Sequence, residues 1–133
     1  MLDIRCTVRP APVFVKTGAG RIPFEAIARS VLGAQYELSL VICGDELARR
    51  INRENRKKSY SPNVLSFPLG KLEGEIFLNI RKAEREAREY KTSPRARLAL
   101  LFVHGLYHLK GLDHGARMER LEQTTLKKFK LTN

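Results

Sequence analysis

The chain has 133 residues, enough for one domain with its own core and no need of disulfide support. At 43% hydrophobic and 29% charged it has the composition of a globular protein, and no stretch is long and apolar enough to cross a membrane. Lysine and arginine total 25 against 14 acidic residues, a formal net charge of +11. That charge points to an acidic partner, nucleic acid being the common one and an anionic membrane the alternative.

Leu2, Ile4, Cys6 and Val8 alternate with Asp3, Arg5, Thr7 and Arg9, which predicts a half-buried strand. The same alternation lacks the continuous apolar core of a signal peptide, so a soluble, cytoplasmic protein is expected. Residues 10–21, with Pro10, Pro12, Gly18 and Gly20, read as a loop. Phe24, Ile27, Ala28 and Val31 repeat at helical spacing, and Gly33 ends that helix. Tyr36 to Cys43 is a second strand. Gly44 and Asp45 then start a helix with Leu47, Ala48 and Ile51 inward. Cys6 and Cys43 stand far apart with no C-x-x-C, and read as buried reduced thiols.

Residues 52–63 are polar, basic and poor in apolar anchors, and read as a long loop. Val64 to Phe67 is a short strand, and Ile76, Leu78 and Ile80 alternate along another. Ala83, Ala87 and Tyr90 form a narrow apolar seam on a charged helix. Ser93 and Pro94 suit the N-cap and first position of the next helix, which runs to about Lys110. It is apolar on nearly every side and should be the central, buried one. After Gly111 the chain turns, and Met118, Leu121, Thr125 and Phe129 line one face of a last helix. With no repeat or linker, the order predicts one mixed α/β domain over residues 1–133. A small mixed four-stranded sheet would be packed by about five helices.

All three histidines lie in one segment, HGLYHLKGLDH. His104 and His108 are four apart, neighbours on one helical face and at chelating spacing. Gly111 permits the left-handed turn that ends a helix, so His114 can return as a third ligand. The metal site is thus expected on the central helix and the following turn. Three neutral imidazoles plus water make the open, catalytic type of zinc site, one ion per chain; copper and nickel also favour nitrogen ligands. Asp113 is placed either to hydrogen-bond the outer nitrogen of a ligand histidine or to cap the next helix.

The spacing matches H-E-x-x-H-x-x-G-x-x-H metalloproteases, but Gly105 stands where their general base, a glutamate, would be. A different hydrolysis is then expected. Arg49, Arg50, Arg53, Arg56, Lys57 and Lys58 lie within one short basic segment, with Lys127, Lys128 and Lys130 near the C-terminus. Cations of this kind hold phosphates without reading sequence, which favours RNA or DNA as the substrate. A metalloprotease variant and a non-catalytic RNA-binding assembly factor with a structural metal are the competing readings.

Two separated segments together resemble the YbeY endoribonucleases, the rRNA maturation factors. The H-x-x-x-H-x-x-G-x-D-H motif is matched by His104, His108, Gly111, Asp113 and His114. Residues 51–68, INRENRKKSYSPNVLSFP, resemble the family's L-N-x-x-Y-R-x-x-x-x-x-T-D-V-L-S-F-P, and Gly74 to Ile76 resemble its G-D-I. Asn55, Pro62, Asn63 and Glu75 depart from that pattern, standing where Tyr, Thr, Asp and Asp are usual. The resemblance implies a catalytic zinc held by His104, His108 and His114 in a cleft, and places the family's important arginine on Arg56. It implies cleavage of single-stranded RNA in processing of ribosomal RNA, notably the small-subunit 3′ end, and in ribosome quality control. In that reading Arg56 is the catalytic cation, and Arg49, Arg50, Arg53, Lys57 and Lys58 hold the RNA backbone.

Overall fold

Strand β1 (Leu2–Cys6) has the alternating burial its sequence predicts. In the computed structural model, which describes residues 1–16 and 18–132, it pairs in parallel with β2 (Glu37–Cys43), Leu2 opposite Leu38 and Cys6 opposite Ile42. Strand β3 (Val64–Gly70) forms a hairpin with β4 (Glu73–Asn79), which in turn lies parallel to β2. The sheet is therefore mixed and four-stranded in the order β1-β2-β4-β3, with β3 at an edge. As a central strand, β2 is covered on both faces: Leu38, Leu40 and Ile42 enter the main core, whereas Val41 and Cys43 pack with Ala48.

Five helices cover this sheet: α1 (Phe24–Leu32), α2 (Asp45–Arg56), α3 (Ile80–Glu89), α4 (Pro94–Leu109) and α5 (Ala116–Lys128). The first buries Phe24, Ile27, Ala28 and Val31 and stops at Gly33, whose φ of 94° is glycine's own region. The fourth is the buried centre. Leu98, Phe102, Val103 and Leu106 are fully enclosed, and Phe102 meets Phe24 edge-on at 5.0 Å. Each such side chain contributes about 1.5–3 kcal/mol on burial, so the helix that carries two of the histidines is the best anchored in the molecule. Its start is as expected: Pro94 stands first, and Ser93 Oγ accepts from the Ala96 N–H at 3.0 Å.

Four readings change. Residues 52–56 are not loop but the last turn and a half of α2. The missing apolar anchor there is a polar one, since Asn52 is fully buried and its Nδ2 donates to the Tyr60 carbonyl at 3.1 Å. Ile80 is not the end of a strand. Asn79 caps α3 by accepting from Lys82 N–H, so strand passes into helix without a linker, and Ile80 stays buried as the first helical residue. Tyr90 is 59% exposed, because its φ of −92° and ψ of 6° place it just past the helix, out of register with Ala83 and Ala87. Cys6 is only half-buried, because β1 is an edge strand. Cys43 is enclosed, and burial chiefly, with Cys6 and Asp45 adding, pushes its thiol up to about 12.

Candidate active site

His104 and His108 occupy successive turns of α4, half-buried between the enclosed residues Val103, Gly105, Leu106 and Tyr107. The helix ends as its glycine dictates. Gly111 has φ of 102°, its N–H donates to His108 O, and the Leu112 N–H donates to Tyr107 O, each at 3.0 Å. The reversed chain brings His114 back over the helix. The three ring centroids then lie 4.5, 4.6 and 4.8 Å apart, and one nitrogen of each falls within 4.8 Å of the others.

The hydrogen bonds fix how those rings are protonated. His108 Nδ1 lies 3.2 Å from the Leu112 carbonyl, which only accepts, so Nδ1 carries the proton. His104 Nδ1 lies 2.5 Å from a carboxylate oxygen of Glu122 on α5, itself almost wholly buried. Both outer nitrogens are thus donors, and the two inner nitrogens, both Nε2, face each other at 3.0 Å. With Nδ1 of each ring as the donor, a metal ion or a proton between the two Nε2 atoms satisfies both lone pairs. Two nitrogens bound at about 2.0–2.1 Å to a tetrahedral zinc stand about 3.3 Å apart, so the spacing fits. Burial, followed by the neighbouring His104 and His114, holds the His108 imidazole below its usual value, which keeps it in the neutral form that ligates.

Gly105 explains the missing glutamate. A Cβ there would sit 2.9 Å from Ser66 Oγ, 3.2 Å from Ile76 Cδ1 and 3.3 Å from Val64 Cγ2. Ser66 Oγ donates to the Gly105 carbonyl at 3.1 Å, locking β3 onto the helix at this point. The space a side chain would need is filled by the sheet.

In front of the histidines lies an open cleft of about 690 Å³, with Arg56, Tyr60, Pro62, Asn63, Val64, Ser66 and Lys82 as its other walls. Arg56, in the last turn of α2, is exposed and makes no ion pair or side-chain hydrogen bond among the described residues. Its guanidinium therefore has all its donors available. Residues 60–62 are fastened from three sides. Asn52 holds the Tyr60 carbonyl, Asn79 Nδ2 donates to Ser61 Oγ and Pro62 O, and Lys82 Nζ donates to Ser61 O at 2.6 Å. Asp45 joins Ser61, Asn79 and Arg85; hydrogen bonding from Arg85 foremost, against an opposing burial effect and with help from Asn79 and Ser61, holds its carboxyl well below the usual range.

Of the residues singled out in the sequence, the cleft brings together His104, His108, His114 and Arg56. Arg49, Arg50, Arg53, Lys57 and Lys58 are exposed along α2 and just past it, outside the cleft wall; Arg50 borders a different depression with Arg81. Lys128 reaches Ser30 on α1, away from the histidines. Asp113 is exposed and bonds to none of the three rings, and Gly115 holds the N-cap of α5; the hydrogen bond to an outer histidine nitrogen comes from Glu122 instead. Glu122 had a signal in the sequence, a carboxylate inside the apolar stripe of Met118, Leu121 and Thr125. Ser66 had one too, as the serine of the family-like V-L-S-F-P run, whereas Tyr60 and Lys82 had none, because only the packing of α2, α3 and the loop between α2 and β3 brings them to the histidines.

Comparison with known proteins gives one family. A family model described as Endoribonuclease YbeY matches residues 21–130. The Endoribonuclease YbeY of Heliobacterium modesticaldum is 36% identical over 113 residues, covering 68% of this chain and 68% of that protein. That of Aromatoleum aromaticum is 36% identical over 113 residues, covering 80% and 73%. The solution structure of TM1509 from Thermotoga maritima shares the fold at 20% identity, with a TM-score of 0.70 over 97% of this chain and 89% of that one.

Proposed function

Because the chain belongs to the YbeY endoribonuclease family, we propose that it is a zinc-dependent, single-strand-specific endoribonuclease of ribosomal RNA. Its work would be small-subunit 3′-end maturation and ribosome quality control in the cytoplasm, carried out by residues 1–133 as one domain. The observation that carries this reading is the facing of three convergent imidazoles by an unpaired guanidinium across one cleft.

His104, His108 and His114 would hold one zinc ion, which supplies Lewis acidity to a phosphate oxygen or to the attacking hydroxyl. Glu122, as acceptor for His104 Nδ1, keeps the opposite nitrogen bare and aimed into the cleft. Arg56 clamps the scissile phosphate, its planar fork matching two phosphate oxygens and stabilising charge that develops on them. Lys82, with one proton committed to Ser61 O, has others to offer a neighbouring phosphate. Arg49, Arg50, Arg53, Lys57 and Lys58 lie beyond the cleft, where they would hold the RNA backbone as it leaves the site. The cleft is the size of a small-ligand site, which suits an unpaired segment better than a duplex. Gly105 and its packing weigh against peptide hydrolysis, since no carboxylate stands beside His104 on the helix.

The test is cleavage of an unstructured RNA by zinc-loaded protein purified without a polyhistidine tag, with His108→Ala as the control for contaminating nuclease. Expected are about one zinc per chain, cutting of the single strand but not of its duplex, and neither zinc nor cutting in the variant. Cutting that survives in His108→Ala, or a wild type that carries zinc and leaves RNA intact, overturns the reading.

A further inference from the structure

Tyr60 is 51% exposed, yet its carbonyl and the residue after it are held by side-chain hydrogen bonds. The fully buried Asn52 donates to its carbonyl, and the next residue, Ser61, is bonded by Asp45, Asn79 and Lys82 from α2, the end of β4 and α3. Ordinary exposed tyrosines sit on compliant surface. Here four polar side chains from three elements position a loop whose one large apolar group is turned into a cleft beside three histidines. The Lys82 ammonium stands over the ring at 5.7 Å from its centroid, which polarises the ring and leaves it a cation-backed plane. A rigid aromatic face with cations beside it is how proteins hold an unstacked base of a single strand.

We infer that Tyr60 is a stacking platform for one nucleobase of the RNA, adjacent to the scissile phosphate, with Lys82 holding the phosphate of that nucleotide. This rests on the RNA-cleaving reading above and adds to it a specificity device. The stack needs an unpaired base, because a base within a duplex has both faces covered, so Tyr60 supplies a physical origin for single-strand preference. It selects for an aromatic base and not for sequence, since every base has a π-face.

The experiment uses a short unstructured RNA and a set in which each nucleotide in turn lacks its base. Cleavage by the zinc-loaded protein gives KM and kcat, and binding of the same oligonucleotides in chelator gives affinity with cutting switched off. Tyr60→Ala should raise KM by roughly 5- to 150-fold, the size of one base–aromatic stack, with the loss appearing in KM and affinity more than in kcat. Tyr60→Phe should restore affinity, and Tyr60→Leu, which keeps bulk but has no π-face, should not. One abasic position should cost the wild type as much as Tyr60→Ala does and cost Tyr60→Ala almost nothing further, which marks the stacked nucleotide. A wild-type-like Tyr60→Leu, or abasic losses that add in full to Tyr60→Ala at every position, overturns the stack while leaving RNA cleavage standing. Binding that shows the abasic pattern in a protein that never cuts RNA keeps the stack and removes the nuclease. No RNA binding at all removes both.

Discussion

On one wall of the cleft, His104 and His108 stand on a helix held by apolar side chains such as Leu98, Phe102 and Leu106. On the other, Arg56 and Tyr60 stand on a helix end and a loop held by Asn52, Asp45, Ser61 and Asn79, all polar. The two kinds of anchoring differ physically. Apolar packing is non-directional and strong in aggregate, and it barely depends on pH or salt. A buried polar network is directional, depends on every member being satisfied, and includes a charged carboxylate. The scaffold of the histidine wall should therefore tolerate losses of single polar bonds that would loosen the cationic wall.

The strongest way to sharpen the contrast is at Arg56. Replacement by alanine should lower kcat by about a hundredfold or more, comparable to loss of one oxyanion donor, with zinc content unchanged because no histidine depends on it. Arg56→Lys should recover little, for want of the planar fork. Wild-type turnover in Arg56→Ala at saturating RNA would reduce it to a surface residue. On the opposite wall, Glu122→Gln should weaken zinc binding by roughly 10- to 100-fold in competition with a chelator, while leaving affinity for RNA in the absence of metal unchanged. A full zinc affinity in that variant would mean that His104 needs no orienting partner.

Smaller effects test the rim. Each phosphate contact to a single strand contributes about 0.7 to the slope of log affinity against log salt, so replacing Arg53, Lys57 and Lys58 together should flatten that slope by up to about 2. An unchanged slope would place the RNA backbone elsewhere. The mildest effect concerns Asp45. Its carboxyl ionises below the usual 3.8 in the folded protein, so its stabilising effect is complete above that value and fades as pH falls beneath it. The ion pair with Arg85 is partly exposed, which limits it to about 1 kcal/mol or less. The stability gap between wild type and Asp45→Asn in denaturant should accordingly narrow as pH drops below about 4. A gap that is constant, or that widens in acid, would remove Asp45 from the charged network.

The same division explains what could be read from the sequence. The histidine wall was legible because its determinants are local: i,i+4 spacing, Gly111, and the Ser93–Pro94 start. The cationic wall was legible as charge and through the family-like segment 51–68, which singles out Arg56. Asn52 falls on the asparagine of that segment, yet its burial was not legible, because a buried asparagine bonded to a carbonyl eight residues on has no periodic signature. Lys82 and Tyr60 are 22 residues apart in sequence, and only the passage of β4 directly into α3 at Asn79 brings them together. Asp113 and Glu122 make the point from the other side. The nearer carboxylate invited the role, and the fold of α5 against α4 gives the hydrogen bond to the farther one.

The close seat of Gly105 against Ser66, Ile76 and Val64 bears on how this helix can evolve. On the genetic code every glycine codon is a single base change from glutamate or aspartate, so a carboxylate beside His104 is within reach of mutation. In space it is crowded, because its first carbon would press at 2.9 Å on the Ser66 hydroxyl, the group that holds β3 to the helix. A lineage drifting toward peptide chemistry would first have to trim Ser66 or lift the edge of the sheet. Either step loosens β3, the strand that supplies Val64 and Ser66 to the cleft wall. The intermediates would be poor at both reactions, and selection would return the position to glycine.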